Sequence, residues 1–460
     1  MLRSLTLIGK RSSFSFVFSG AGVTFVLRIL FVGLGFVTQI VLTRTLGVSS
    51  YGLFAYAYNW ADLLLILTML GFPNLLIRNL AIYREQEQWS FMRGLIHFAR
   101  TVSLLVVFLV IGAALAVAWV SGLGQQAVWQ SGFLGAENFK AAVWFTETTL
   151  WTIFLALAAL PLMTQVRLQQ AILQGMGHII NSQLAEFLLR PLLFLGLVVG
   201  LSLVLSGKFS ASVAMGANLA AAGVALVYSA SAVAKALPAL LRSAPAVYQP
   251  RLWLRMTLPL LLISGMQIIN TRTDSIMLGT LAGANAVGIY NVAAQVAQVI
   301  TIVLTAVNVA LAPNFARLYA NGDMGRLQRL VTQSTRLILF GSVTISIGII
   351  VFEGLILGVF GAEFLAANSA LYILIVGRIL NAASGSAGVL LTMTHNEGFT
   401  ALGVGISAVT NIILNALFIP AYGIEGAALA TTISMILWNV LLVIFARRRL
   451  GIRTTALGWL

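Results

Sequence analysis

The chain has no cysteine, three histidines and only 12 acidic residues among its 460. Without cysteine there is no disulfide and no thiolate metal site. His97, His178 and His395 lie far apart and make no ligand cluster. No GxxxxGK[ST] loop is present, so direct drive by ATP has no site. Charged residues are only 8% of the chain, far fewer than a soluble protein needs to cover its surface. What fills the chain is apolar: 60% of residues are hydrophobic, in continuous runs of membrane-spanning length. The runs do not alternate in polarity, which argues against a β-barrel.

The pattern predicts an all-α polytopic membrane protein with about 12 spans, the first two near 18–42 and 53–77 and the last three near 366–392, 400–420 and 425–446. The net charge of +15 invites a nucleic-acid reading, but the cations follow membrane topology instead. Lys10, Arg11, Arg78, Arg84, Arg93, Arg167, Lys235, Arg242, Arg251, Arg255, Arg317, Arg326, Arg329 and Arg447 to Arg449 fall on one side, against Arg44, Lys140 and Lys208 on the other. By the positive-inside bias both termini are expected in the cytoplasm, in a multi-pass protein of the cytoplasmic (inner) membrane. Met1 to Ser13 is basic but leads into no signal-type cleavage site, and is read as an uncleaved cytoplasmic tail.

The segment 236–255 carries three prolines and alternates arginine with apolar residues. It reads as an amphipathic cytoplasmic linker between an N-terminal six-helix lobe, 1–235, and a C-terminal six-helix lobe, 256–460. The halves repeat. Leu46-Gly47 before Tyr51-Gly52 matches Leu278-Gly279 before Gly288-Ile289-Tyr290. Pro73-Asn74 with Arg78 matches Pro313-Asn314 with Arg317. GANLAAAGVALV at 216–227 resembles GAALATTISMIL at 426–437. The order is the same in both halves. Two pseudo-symmetric parallel repeats around a central cavity are a recurrent transporter plan.

Four arginines fall inside apolar spans: Arg28, Arg190, Arg272 and Arg378. A charge near the bilayer centre costs about 3 kcal/mol or more, so it usually faces a cavity or a partner. Together they suggest a hydrated interior that attracts anions, and Arg28 and Arg378, with no acid nearby on their own helices, are the foremost substrate ligands. A guanidinium stays charged when buried, and its planar fork suits phosphate. The alternative for each is an ion pair between helices. Arg190 has Glu186 one turn before it and Pro191 after it, so a structural pair at a kink competes with a substrate role. Arg272 and Asp274 are two apart and point to different faces. Asp62 is the lone acid of the second span. Intramembrane acids of this kind suit coupling to a proton or sodium ion, and Asp62 and Asp274 are the candidates. Asn59, Gln267, Asn270, Asn308, Asn381 and Asn411 either line the path or tie helices together.

The segments RTLGVSSYGLFAYA (44–57), LGFPNLLIRNLA (70–81), DSIMLGTLAGANAVGIYNVAAQ (274–295) and LAPNFARLYANGD (311–323) resemble the polysaccharide flippase family. This is the Wzx-type, lipid-linked oligosaccharide branch of the multidrug/oligosaccharidyl-lipid/polysaccharide exporter superfamily. The resemblance implies flipping of a polyprenyl-diphosphate-linked oligosaccharide, such as an O-antigen unit, by alternating access. It implies a cationic cavity to which Arg28 contributes, membrane lipids as neighbours, and a polysaccharide polymerase or glycosyltransferase machinery as partner. No metal, no organic cofactor and no catalytic residue is expected. A lipid II flippase and a cation-coupled drug exporter of the same superfamily are the near alternatives, though an exporter of organic cations should carry more acid than base. A membrane glycosyltransferase or polymerase would need catalytic groups on a large outward loop, and the longest, near 121–141, holds only Glu137 and Lys140.

Overall fold

The computed structural model of the chain describes residues 22–131, 147–205 and 207–456. The basic tail, with Lys10 and Arg11, and Glu137 and Lys140 of the outward loop lie outside them. Among the described residues every regular element is helical: α1 (Gly22–Met69), α2 (Phe72–Glu85), α3 (Trp89–Ser131), α4 (Glu147–Gly175), α5 (Ile179–Leu184), a π-helical turn (Ala185–Leu189), α6 (Arg190–Val204), α7 (Ala211–Ala236), α8 (Ala239–Ser243), α9 (Pro250–Ala282), α10 (Ala284–Gln298), α11 (Thr301–Ala320), α12 (Met324–Val351), α13 (Glu353–Phe360), a 3-10 turn (Ala362–Ala367), α14 (Asn368–Ser384), α15 (Ala387–Met393) and α16 (Glu397–Leu450).

Eight of the described helices are long and apolar enough to cross a membrane, nine when α10 and the start of α11, bent by 47°, count as one span. The longest, α16, has 54 residues. Unbroken it would measure about 80 Å, against roughly 30 Å for a bilayer core. It breaks at Gly423 (φ 58, ψ −125), and α1 breaks at Gly47 (φ 72, ψ 174). Both breaks fall in the gaps expected between spans, at backbone angles that only glycine adopts without strain.

Other boundaries differ from expectation. The second span does not run through 53–77: α1 ends at Met69, Leu70 and Gly71 take positive φ, and Pro73 opens α2. Proline suits the first turn of a helix and not its interior, so it starts a new one. The linker is also shorter than 236–255, because Pro250 sits at the first position of α9 and the helix runs on from there.

The chain falls into two compact units. One comprises the chain up to Thr45 together with Ala61–Ser264, the other Leu46–Trp60 together with Gly265–Leu460. In the first, the linker is docked. Val247 donates its backbone N–H to Ser90, Arg93 donates to the Ala244 carbonyl at 2.6 Å, and fully buried Trp253 packs on Phe98 and donates to the Tyr83 hydroxyl. Around Trp253 lies a core of Phe72, Leu76, Leu80, Met92, Leu95, Leu168 and Leu173.

In the second unit the two glycine motifs of the repeat pack on each other. A Cβ on Gly52 would collide with the Ala284 carbonyl, and one on Gly288 would stand 2.5 Å from the Val48 carbonyl oxygen. Only two glycines let the helix starts approach this closely. That contact is why Leu46–Trp60 belongs to the second unit. A further core, Phe315, Leu327, Val331, Leu390, Leu391, Leu442 and Ala446, joins α11, α12, α15 and α16.

Candidate functional site

The second unit buries one carboxylate among neutral donors. Asp274, on α9, is only 5% exposed. On Oδ1 it accepts hydrogen bonds from Asn411 (3.0 Å) and Asn415 (2.7 Å). On Oδ2 it accepts from the Tyr290 hydroxyl (2.9 Å) and from the Thr431 hydroxyl. Asn415 also donates to Asn411 Oδ1 at 3.1 Å, one helical turn away. Asn411 and Asn415 lie on α16 before its break at Gly423, and Thr431 lies after it. The break folds one helix into two segments that reach the same acid. Asn415 Oδ1 is buried without a hydrogen-bond partner. Carboxylate, hydroxyl and phenol oxygens thus meet, with the amides turned nitrogen-first toward the acid; the oxygens are hard ligands of the type that holds a proton or an alkali cation.

Arg378, on α14, lies within electrostatic range of both Asp274 and Tyr290. Its position is fixed by neutral contacts on either side. Thr432 donates to the Ile373 carbonyl at 3.0 Å, a Cβ on Gly377 would stand 2.9 Å from Thr432 Oγ1, and Asn439 donates to Asn381 Oδ1 at 2.9 Å. The guanidinium is half-buried and its Nε is buried without a hydrogen-bond partner. A cation placed this firmly beside an acid whose lone pairs are already occupied retains donor capacity for an anion.

The first unit treats its charges differently. Glu186, 4% exposed, lies in the π-helical turn that precedes Arg190-Pro191. Its Oε1 pairs with Arg190 Nη1 at 3.1 Å and with Arg167 Nη2, from α4, at 3.0 Å. Arg190, 7% exposed, donates its other terminal nitrogen to Asn218 Oδ1 on α7 at 3.2 Å. The expected pair at a kink is present, as a π-bulge of the kind that proline and inserted side chains induce. Both ends of the Arg190 fork are engaged.

Arg28 lies on α1, and its side chain, like that of Gln267 on α9, falls outside the described residues. Asp62 on α1 and Arg272 on α9 are half-buried, and each makes an interaction within the fold. Arg272 and Asp274 face different surroundings, as their spacing requires. Among the asparagines, Asn270 donates to the Val404 carbonyl, Asn381 accepts from Asn439, and Asn411 serves Asp274, so these three tie helices together. Sequence reasoning missed Asn415, Thr431 and the hydroxyl role of Tyr290, and took Arg167 only as a topology marker. The i, i+4 spacing of Asn411 and Asn415 in an apolar helix was the available signal.

Comparison with known proteins identifies the family and the fold. The model of the polysaccharide biosynthesis protein family matches residues 17–319. The chain belongs to that family. The MatE family model matches residues 259–419. A curated relative, a probable low-salt glycan biosynthesis flippase of Haloferax volcanii, is 30% identical over 169 residues, 36% of this chain and 36% of that protein. The alignment therefore spans about a third of the curated relative. A solved inward-facing multidrug resistance MATE family transporter of the MOP superfamily superposes with a TM-score of 0.71 at 15% identity, covering 94% of this chain and 98% of that one. The lipid II flippase MurJ, in an inward closed conformation, gives 0.67 at 16% identity over 93% and 87%. At such identities the likeness is one of fold: the chain has the fold of these polytopic helical transporters.

Proposed function

We propose that this protein flips a polyprenyl-diphosphate-linked oligosaccharide across the cytoplasmic membrane by alternating access. The observation that carries the reading is Arg378: a fixed intramembrane guanidinium with unengaged donor capacity, in a chain of the polysaccharide biosynthesis family. The diphosphate headgroup is anionic and cannot cross hydrocarbon unaided. Arg378 and Arg28 are assigned to it, with Arg272 as a further candidate. Arg190 remains a candidate of lower rank, since Glu186 and Asn218 engage it. Ion coupling, by a proton or sodium ion, is assigned to Asp274, whose oxygen cluster supports it, with Asp62 as the second acid. A cation held in one conformation more tightly than in the other biases the cycle by that difference. Twelve spans in two lobes, both termini in the cytoplasm, and a polymerase or glycosyltransferase receiving the product complete the reading.

The test is reconstitution in liposomes with a fluorescent polyprenyl-diphosphate oligosaccharide. An impermeant quencher then reports how fast inner-leaflet label becomes accessible. Acceleration over empty liposomes, lost in Arg378→Gln, is the expected result. No acceleration by folded protein under an ion gradient refutes the assignment, and acceleration with lipid II alone transfers it to peptidoglycan precursors.

A further inference from the structure

Asp274 and Arg378 have so far been given separate tasks. Their surroundings make them one device. Each carboxylate oxygen of Asp274 already accepts two hydrogen bonds, all from neutral groups: Asn411, Asn415, Tyr290 and Thr431. Arg378 is therefore not needed to satisfy the acid, and among the described residues its Nε has no partner at all. What links the two is charge alone, acting through a low-dielectric interior where such attraction is strong. The spacing is held from both sides: Thr431 bonds the acid while its neighbour Thr432 bonds the Ile373 carbonyl, on the helix that carries Arg378.

We propose that the charge on Asp274 sets the affinity of Arg378 for an anionic headgroup, so that neutralising Asp274, by its coupling cation or by substitution, tightens diphosphate binding. The proposal rests on the function assigned above. With Asp274 charged, the arginine already has a counter-charge, and an incoming diphosphate meets a negative neighbour. With Asp274 neutral, the arginine is a half-buried cation without compensation, a costlier state for such a group, and an anion relieves it. Linkage is reciprocal: bound diphosphate raises the affinity of Asp274 for its cation by the same factor. Cation and lipid therefore occupy the same state of the transporter rather than excluding each other.

The experiment measures binding of farnesyl diphosphate to the purified full-length protein by titration calorimetry, with farnesol as the control for tail binding. Asp274→Asn is compatible with the site. Its oxygen can face the two asparagine amides, and its nitrogen can donate to the Tyr290 and Thr431 hydroxyl oxygens, which are free to turn. Asp274→Ser removes the same charge in a smaller side chain if the amide does not fold. The expected result is affinity at least about fivefold tighter in the neutral variant, near the lower end of measured couplings, and no such gain when Arg378→Gln is also present. Diphosphate binding that is lost in Arg378→Gln but unchanged or weakened in the Asp274 variants overturns the linkage and leaves the ligand role of Arg378 standing. Wild-type protein that binds farnesyl diphosphate no better than farnesol overturns the lipid-diphosphate reading, and the linkage with it.

Discussion

Replacing Glu186 by glutamine should destabilise the protein more than replacing its partner Arg190, although the two share one ion pair. Glu186 is the only acid facing two guanidiniums in this cluster, at 3.0 and 3.1 Å. Glu186→Gln takes from the almost fully buried Arg190 the carboxylate it pairs with. Breaking a buried pair in this way costs about 3–5 kcal/mol. The Arg167 side chain, 36% exposed, returns to water and adds little. Arg190→Gln instead leaves Glu186 paired with Arg167, and the loss is that of hydrogen bonds to a charged group, about 1.5–3 kcal/mol. The assay is apparent melting of the detergent-purified protein by tryptophan fluorescence. Membrane proteins often unfold irreversibly, so the order of variants is the result rather than an absolute free energy. Wild type should melt highest, Arg190→Gln next and Glu186→Gln lowest. Glu186→Gln melting at or above Arg190→Gln would refute the view that the acid is the keystone of the cluster. The same variants report on function. If the Arg190 fork serves structure, folded Arg190→Gln retains flipping in liposomes, and loss of flipping with melting preserved would return Arg190 to the substrate ligands.

Gly288→Val sets a branched side chain against the Val48 carbonyl, within the crossing that joins the two repeat motifs; overpacking of this kind costs about 1–3 kcal/mol, read as a lower melting temperature, while Gly348→Ala, where a Cβ meets nothing within 4 Å, should stay near wild type. Trp253→Ala removes a fully buried ring and its bond to Tyr83, at about 3–5 kcal/mol, and should loosen the linker enough for protease cleavage near Pro245. Arg28→Ala should abolish flipping while membrane insertion, followed by fractionation and protease accessibility, is unchanged; full transport by that variant removes Arg28 from the ligand set.

The helical class, the repeat and the breaks at Gly47 and Gly423 were legible because hydropathy and glycine position report local constraints directly. Interruptions at Gly71 and Gly385 were run through, since the apolar character continues across them: Pro73 was the signal passed over at the first, and the glycine backbone angle marks the second. The charges divided in the same way. Glu186 and Arg190 are one turn apart, so their pairing could be read from spacing. The partners of Asp274 could not: Tyr290 lies 16 residues away, Asn411 137 and Thr431 157. A pattern that is local in sequence says nothing of contacts at that range. Arg167 was taken as a loop charge for the same reason, being a residue of α4 that reaches an acid two helices later.

The repeat also shows how the two units came to differ in charge. Aligning residues 216–227 with 426–437 places Asn218 opposite Ala428, one helical turn before Thr431 on the same face. At this shared location the first unit uses an amide oxygen to hold a cation, Arg190. The second uses a hydroxyl to hold an acid, Asp274. In the first unit the acid is paired by two arginines, so the cluster is anchored by ion pairs and resists rearrangement. In the second the acid is held by neutral donors and its arginine is left to interact through the field alone. Neutral hydroxyl and amide groups can turn to serve an acid in either charge state, whereas a direct ion pair must break. An acid that changes its charge during a cycle is therefore better placed in the second arrangement, which supports the coupling role proposed for Asp274 and a static one for Glu186.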